Sequence, residues 1–319
     1  MDVCVIGGSR YFGRRLIELL RDAGAAVTVI NRGSTPAPPG VTHLRSDRND
    51  EAALRAALGD RRFDVVIDQV CYTPVQAAIA ARVFAGRTPR YLLTSTVEVY
   101  AELGRPGGPA LPESAFDPTT WPVDLELPWS DPEFCGDHYG EGKRQAEALL
   151  TRLAPFELVT VRTAHVLGGA DFTGRLAHYV ERIGQGHPVA VHPEPQPATF
   201  VHAPEIAAFL AWAATAAFTG PVNAASPDPL DARELSTVVG RVLGAEPRLT
   251  VPPTPPSDPT PTSASTATPA SASASADEEL SPFSFEHCYA MDTTRAAELG
   301  FTFTPAATWL PLAVRELHA

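Results

Sequence analysis

Short apolar runs alternate with amphipathic stretches along the first half of this 319-residue chain. Val3, Cys4, Val5 and Ile6 lead into Gly7-Gly8, and Phe12, Leu16, Leu19, Leu20 and Ala23 then recur along one helical face. That order predicts strand, tight turn and helix. Further strand-like runs fall at 26–30, 42–45, 64–70, 90–96 and 157–166, with helical patterns at 51–58 and 75–84 between them. Strands joined through helices are parallel, so the pattern predicts an α/β fold with a Rossmann-type, doubly wound parallel sheet. The crevice of such a sheet opens at the carboxyl ends of its strands, and the residues leaving each strand are the candidates for chemistry.

After about residue 168 the rhythm loosens, and helical patterns at 176–183, 205–216 and 232–243 alternate with Pro- and Gly-rich connections. The expected organisation is a dinucleotide-binding domain over 1–168 and, over 169–319, mainly a smaller mixed α/β C-terminal substrate-binding domain. Residues 252–277 contain only Pro, Ser, Thr, Ala and Asp. With nothing large and apolar to bury, they cannot offset the entropy of ordering and are expected to be a disordered insertion. An apolar pattern resumes over 283–317.

Composition narrows the class. A net charge of -12 without any basic block repels a nucleic-acid backbone, so no nucleic-acid partner is expected. The first strand begins at residue 2, leaving no room for a leader, and no apolar run reaches membrane-spanning length. A cytoplasmic location without membrane contact is expected. Four scattered cysteines without a C-x-x-C pair read as core thiols, and nine histidines form no ligand cluster, so no metal is expected.

The turn Gly7, Gly8, Ser9, Arg10, Tyr11, Phe12, Gly13 is a candidate phosphate cradle. Glycines allow its dihedrals and the close approach of a pyrophosphate to free N–H groups at the helix start. Arg10 stands where a G-x-G-x-x-G turn has its middle glycine. The second strand ends in Asn31 and Arg32 rather than in a carboxylate that would hold the ribose of NAD. Two guanidiniums, Arg10 and Arg32, favour by charge the 2′-phosphate of NADP. Asp47, after the third strand, is placed to meet the adenine edge. Farther on, Tyr139 and Lys143 share one helical face at i, i+4. An ammonium beside a phenol favours the phenolate, which lets the tyrosine exchange a proton with a substrate alcohol. Thr96, at a strand end, can hold the same oxygen.

These residues sit in the segments VIGGSRYFG, NRG, DVVIDQV, TSTVEVY, YGEGK, VRTAHVLG, TFVHAPEIA, VNAASP and DTTRAAELGF, spread over almost the whole chain. In them the sequence resembles an extended, atypical short-chain dehydrogenase/reductase of the NAD(P)-dependent epimerase/dehydratase superfamily. The resemblance implies a catalytic triad of Thr96, Tyr139 and Lys143, with Lys143 also binding the nicotinamide ribose and the turn from Gly7 to Gly13 wrapping the pyrophosphate. Homodimerisation through two helices is common in the family. Arg10 resembles a subgroup with a GGT-R-F-x-G turn, whose activities are diverse. Glu98 stands where sugar-nucleotide 4,6-dehydratases carry a glutamate base, whereas Val97 replaces the aspartic acid of some of them. Ala198 and Thr199 stand where nucleotide-sugar enzymes often carry a diphosphate-binding arginine, and Glu205 replaces an aspartate.

Arg162 and Arg175 remain as cations for an anion or as structural groups, and His165 and His202 read as packed groups. The segment 101–137, with Trp121, Trp129 and Phe134, either covers the substrate or is anchored by its aromatic residues. The expected activity is NADP(H)-dependent hydride transfer at a secondary alcohol or ketone of a sugar-like or secondary-metabolite small molecule. One alternative is a sugar-nucleotide dehydratase or epimerase with tightly bound NAD and Glu98 as base. Another, from a different class, is a non-catalytic dinucleotide-binding regulatory or RNA-associated protein.

Overall fold

The computed structural model describes residues 1–153, 155–252 and 279–318. Apart from Pro252, the expected insertion at 252–277 lies outside the described residues. The first part of the chain runs β1 (Asp2–Ile6), α1 (Tyr11–Asp22), β2 (Ala26–Asn31), β3 (Thr42–Arg45), α2 (Glu51–Leu58), β4 (Val65–Asp68), α3 (Pro74–Phe84), β5 (Arg90–Thr96), α4 (Pro132–Asp137), α5 (Tyr139–Leu153) and β6 (Glu157–Thr163). Then follow β7 (His165–Leu167), α6 (Arg175–Gly184), β8 (Pro188–Ala190), β9 (Phe200–His202), α7 (Ala203–Ala213), β10 (Gly220–Ala224), α8 (Ala232–Leu243), β11 (Arg248–Thr250), α9 (Thr294–Glu298) and α10 (Ala306–His318).

Seven strands form one sheet in the order β3-β2-β1-β4-β5-β6-β10, all parallel. The connections run one way from β1 to β3 and the other way from β4 onward. The switch point therefore lies between β1 and β4, where Ile6 is in register with Asp68, and the crevice opens beyond these two residues. Helix starts are set by local chemistry: Asp50 accepts the Ala53 N–H at 2.9 Å, and Thr73 accepts the Gln76 N–H at 3.3 Å with Pro74 opening α3. Each face of the sheet has its own apolar core, and α6, α8 and α10 share a third.

Two stretches from residue 157 onward depart from a simple continuation of the strand and helix pattern. The run at 157–166 breaks at Ala164, whose N–H donates to Ala224 O, and β7 leaves to pair with β9. The pattern at 205–216 forms α7, which packs against α1 on the central sheet rather than in the second lobe, and β10 then adds the seventh strand. Ala203, Ile206, Ala207, Phe209, Leu210 and Ala213 are all buried. A helix apolar over that much of its circumference needs cover on more than one side.

The segment between β5 and α5 is anchored along α5. Trp121 Nε1 donates to Glu141 Oε1 at 3.1 Å, and the Arg144 guanidinium lies 5.1 Å from the Trp121 ring. Trp129 is buried and its Nε1 donates to Asp124 O at 2.8 Å, while Phe134 stacks on His138 at 4.0 Å. Beneath it lies a buried ion pair, Arg162 Nη2 to Glu147 Oε2 at 2.9 Å, with side chains 0% and 1% exposed. Arg162 also donates to Tyr100 Oη at 2.9 Å, Glu113 O at 2.7 Å and Phe116 O at 3.2 Å. The Tyr100 hydroxyl passes on to Asn223 Oδ1 at 2.7 Å, and Ser95 donates to Glu147. Arg162 is thus saturated by the fold. Arg162→Met strands the Glu147 carboxylate and is expected to cost about 3–5 kcal/mol, read as a lower denaturation midpoint; adding Glu147→Gln should recover part of the loss.

Candidate active site

At the switch point the glycine turn is shaped by contact. Gly7 and Gly8 have φ of 83° and 75°, and a Cβ on Gly7 would come within 2.7 Å of Val70. A Cβ on Gly13 would come within 2.5 Å of Gly8 Cα, so this glycine lets α1 close onto the turn. Tyr11 takes φ 52°, and its ring meets Phe172 edge-on at 6.0 Å, bringing the turn to the segment before α6. Several buried polar atoms at the ends of β4, β5 and β6 have no partner among the described residues: Gln69 Nε2, beside Gly8, and the hydroxyls of Thr94 and Thr163. A cradle that a Cβ would fill, lined by unspent hydrogen-bonding groups, fits a nicotinamide dinucleotide.

The end of β2 is tied to this turn. Asn31 Nδ2 donates to Ser9 Oγ at 2.6 Å, while its Oδ1 accepts from Gly33 N at 2.6 Å and lies 2.9 Å from His43 Nε2. Arg10 Nε donates to Thr35 Oγ1 at 2.9 Å, and Arg32 is exposed alongside. Arg45, which the sequence pattern did not single out, donates from Nε to Arg32 O at 2.9 Å and packs against Gly33. Among the described residues none of these three arginines has a carboxylate within ion-pair distance. Asp47 accepts the Asn49 N–H at 2.9 Å in the connection leading to α2.

Two glycines of Tyr139-Gly-Glu-Gly-Lys143 bring the candidate residues together. A Cβ on Gly140 would come within 2.8 Å of Glu98 O, and one on Gly142 would collide with Tyr72 O. Their absence lets the start of α5 settle between the end of β5 and the connection after β4. Thr96 caps the turn Val97–Tyr100 by accepting the Glu98 N–H at 3.2 Å. Lys143 is 2% exposed and donates from Nζ to Thr94 O at 2.9 Å. Burial pushes the Lys143 ammonium down to about 8. Burial also raises the Tyr139 hydroxyl, as does neighbouring Tyr72, against a lowering by hydrogen bonding with Thr96. In this state desolvation outweighs the expected lowering of the Tyr139 phenol by Lys143.

Glu98 is raised by burial, opposed by Arg175 and then Arg144, and its carboxylate accepts no hydrogen bond among the described residues. Arg175 opens α6; its Nε donates to Thr173 Oγ1 at 3.2 Å and its guanidinium lies 5.1 Å from the Phe283 ring. It has no carboxylate within ion-pair distance among the described residues, yet its charge favours the ionised forms of Glu98, Tyr139 and Tyr11. His165 sits 3.5 Å from Arg175 Nη1, stacked on Phe285, and burial lowers it well below the usual imidazole range. His202 stacks on Trp309 at 5.0 Å. A cavity of about 1010 Å³ opens elsewhere, between 112–119, α5, β6 and α9. Three of its carboxylates are engaged internally, Glu147 with Arg162, Glu113 with the Asn223 N–H and Asp292 with the Thr294 N–H, and none of Thr96, Tyr139 and Lys143 lines it.

A parallel sheet with a glycine cradle at its switch point defines the dinucleotide-binding class, and the comparisons are consistent with it. Residues 3–85 match the NAD dependent epimerase/dehydratase family. A dTDP-4-dehydrorhamnose reductase of Streptomyces griseus is 31% identical over 180 residues, 54% of this chain and 53% of that protein, so the chain spans about half of the curated relative it matches. Among solved structures, WbmH of Bordetella bronchiseptica in complex with NAD+ is 17% identical with a TM-score of 0.69, covering 99% of this chain and 98% of that one. UDP-glucose 4-epimerase of Thermotoga maritima with UDP-glucose is 16% identical, TM-score 0.69, covering 100% and 99%. The family likeness is carried by residues 3–85, and the solved structures share the fold over the whole chain.

Holding Lys143 charged in a dry site costs stability. Its value falls from 10.5 unfolded to about 8 folded, so the cost is fully present below pH 8 and fades as pH rises toward 10.5. Lys143→Met is therefore expected to raise the melting temperature at neutral pH by roughly a few degrees. Thermal melts should show that gain shrinking through the same alkaline interval.

Proposed function

We propose that the protein is an NADP(H)-dependent oxidoreductase of the epimerase/dehydratase type, acting at a secondary alcohol or ketone of a sugar-like substrate that carries an anionic group. The observation that supports it most is the convergence of Thr96, Tyr139 and Lys143 beside the glycine cradle. The bound nicotinamide would supply or accept the hydride. Tyr139, held neutral by burial, is set up to give its proton to a carbonyl oxygen becoming an alkoxide, which favours the reductive direction. Thr96 holds that oxygen from the strand side. Lys143 brings positive charge to where negative charge develops. Lys143 would also hold the nicotinamide ribose, and Gln69 and Thr163 offer their unspent groups nearby.

The preference for NADP rests on Arg10, Arg32 and Arg45 at the end of β2, where Asn31 replaces a carboxylate. Substrate charge rests on Arg175, an unneutralised guanidinium beside the reactive residues. The name of the Streptomyces relative makes nucleotide-linked 4-keto sugars the first substrates to try. A second reading, an epimerase or dehydratase that retains NAD, is favoured by one observation: the half-buried Glu98 is raised by desolvation and its carboxylate accepts no hydrogen bond among the described residues, as a base for a proton next to a transient ketone would be.

Tyr139→Phe is expected to reduce turnover by about 10²-fold or more while nucleotide affinity stays within about twofold; stopped-time product analysis and nucleotide titration read the two separately. Arg32→Ala should weaken NADPH about tenfold and leave NADH nearly unchanged, measured by fluorescence titration. Arg175→Ala should raise KM for an anionic substrate about tenfold with a smaller effect on kcat, and Arg175→Lys should recover part of it.

A further inference from the structure

Lys143 is the only lysine in the chain, every other fixed cation being arginine. Lysine differs from arginine in its compact charge and its readiness to lose the proton when buried, so its retention at this single position marks a place where those properties matter. Its surroundings hold a further peculiarity: among the described residues, no carboxylate lies within ion-pair distance of the ammonium.

The carboxylates that face it are committed. Asp68, at the end of β4, is gripped by Arg48 Nη1 at 2.6 and 2.7 Å and accepts the Tyr91 hydroxyl at 2.5 Å. Glu147, one turn along α5, is paired with Arg162 at 2.9 Å. From the connection after β4 comes the Cys71 thiol, pushed up to about 11 by burial and therefore neutral. Arg48, on the connection after β3, repels the ammonium. Against Nζ stand Thr94 O and two ring faces, Tyr72 at 4.8 Å from its centroid and Tyr139 at 5.9 Å. The two rings stand 6.1 Å apart, tilted by 48°.

The place of Tyr72 is determined by more than apolar packing. The residue is 40% exposed, so the core does not require it. Its backbone is fixed, with its N–H donating to Gln76 Oε1 at 2.7 Å and its carbonyl lodged against Gly142. A ring face attracts an ammonium without cancelling its charge, whereas a carboxylate in that place would neutralise the potential that Tyr139 is to use.

We propose that Tyr72 is a positioning residue whose ring seats the Lys143 ammonium in place of a counter-ion and keeps it charged beside Tyr139. The catalytic consequence rests on the oxidoreductase reading above; the seat itself does not. Because Lys143 is the sole lysine, full-length protein labelled with ¹³C-lysine gives a single side-chain Cε signal, whose titration reports this ammonium alone. Tyr72→Phe keeps the ring and should titrate within roughly a few tenths of a unit of the parent. Tyr72→Leu should titrate about one unit lower, and in an active protein the alkaline limb of kcat should move down with it. Tyr72→Trp, the stronger cation-binding ring, should titrate at or above the parent and gives a readable result should the Leu variant not fold. A Leu variant that titrates like the parent, a Phe variant that falls as far as Leu, or a Trp variant that falls overturns the seat. A Leu shift alongside full turnover by Tyr139→Phe keeps the seat and removes the oxidoreductase reading.

Discussion

The arrangement depends on the ion pair buried under α5. Glu147 and Arg162 are both taken wholly out of water, and such a pair is tolerable only when its remaining hydrogen-bonding capacity is met. Arg162 meets it with Tyr100 of the turn after β5 and with carbonyls of Glu113 and Phe116; Glu147 adds Ser95 of β5. One desolvated pair therefore ties α5, β5, β6 and the long segment between β5 and α5 to one another. The Asn223 link extends the same network to β10. A helix so held cannot slide along the sheet, and Tyr139 and Lys143 ride on it.

On that fixed helix, small residues set the distances. Gly140 and Gly142 bring α5 against Glu98 and Tyr72, and Gly13 brings α1 against the cradle turn. The dryness that results acts in opposite senses on the groups involved. It raises Tyr139 and Glu98 and lowers Lys143, in each case disfavouring the charged form. The half-buried Arg175, whose charge acts on Glu98 and Tyr139, and the face of Tyr72 work against that trend. The site holds charge at a cost to stability, as sites that act through charge commonly do.

Much of the fold could be read from the chain because its strongest signals are local. Apolar runs, helical spacing and glycine turns placed β3, β5, α2 and α8 at their observed bounds, and the i, i+4 spacing put Tyr139 and Lys143 on one face. The division near residue 168 was less legible. The apolarity of α7 says that it is buried but not against what, and only packing on α1 assigns it to the central sheet. Tyr72 gave no signal in a short connection between strand and helix, and nothing in the local pattern singled out Arg45 or Arg48. The one compositional clue to the site, a single lysine in the whole chain, points to Lys143 without naming what surrounds it.

The sequence by itself determined the alternation of strand and helix, the glycine cradle at the first turn, the absence of a carboxylate after β2 and the candidates at the strand ends. These follow from short-range periodicity and backbone sterics, which need no knowledge of distant neighbours. The tertiary structure alone decided that Arg162 is a buried structural cation while Arg175 is only half-buried, that the tryptophans anchor the long segment along α5, and that Lys143 faces a ring rather than a counter-ion. Those outcomes depend on which groups lose water and which meet across long stretches of chain, and desolvation is a property of the packed whole.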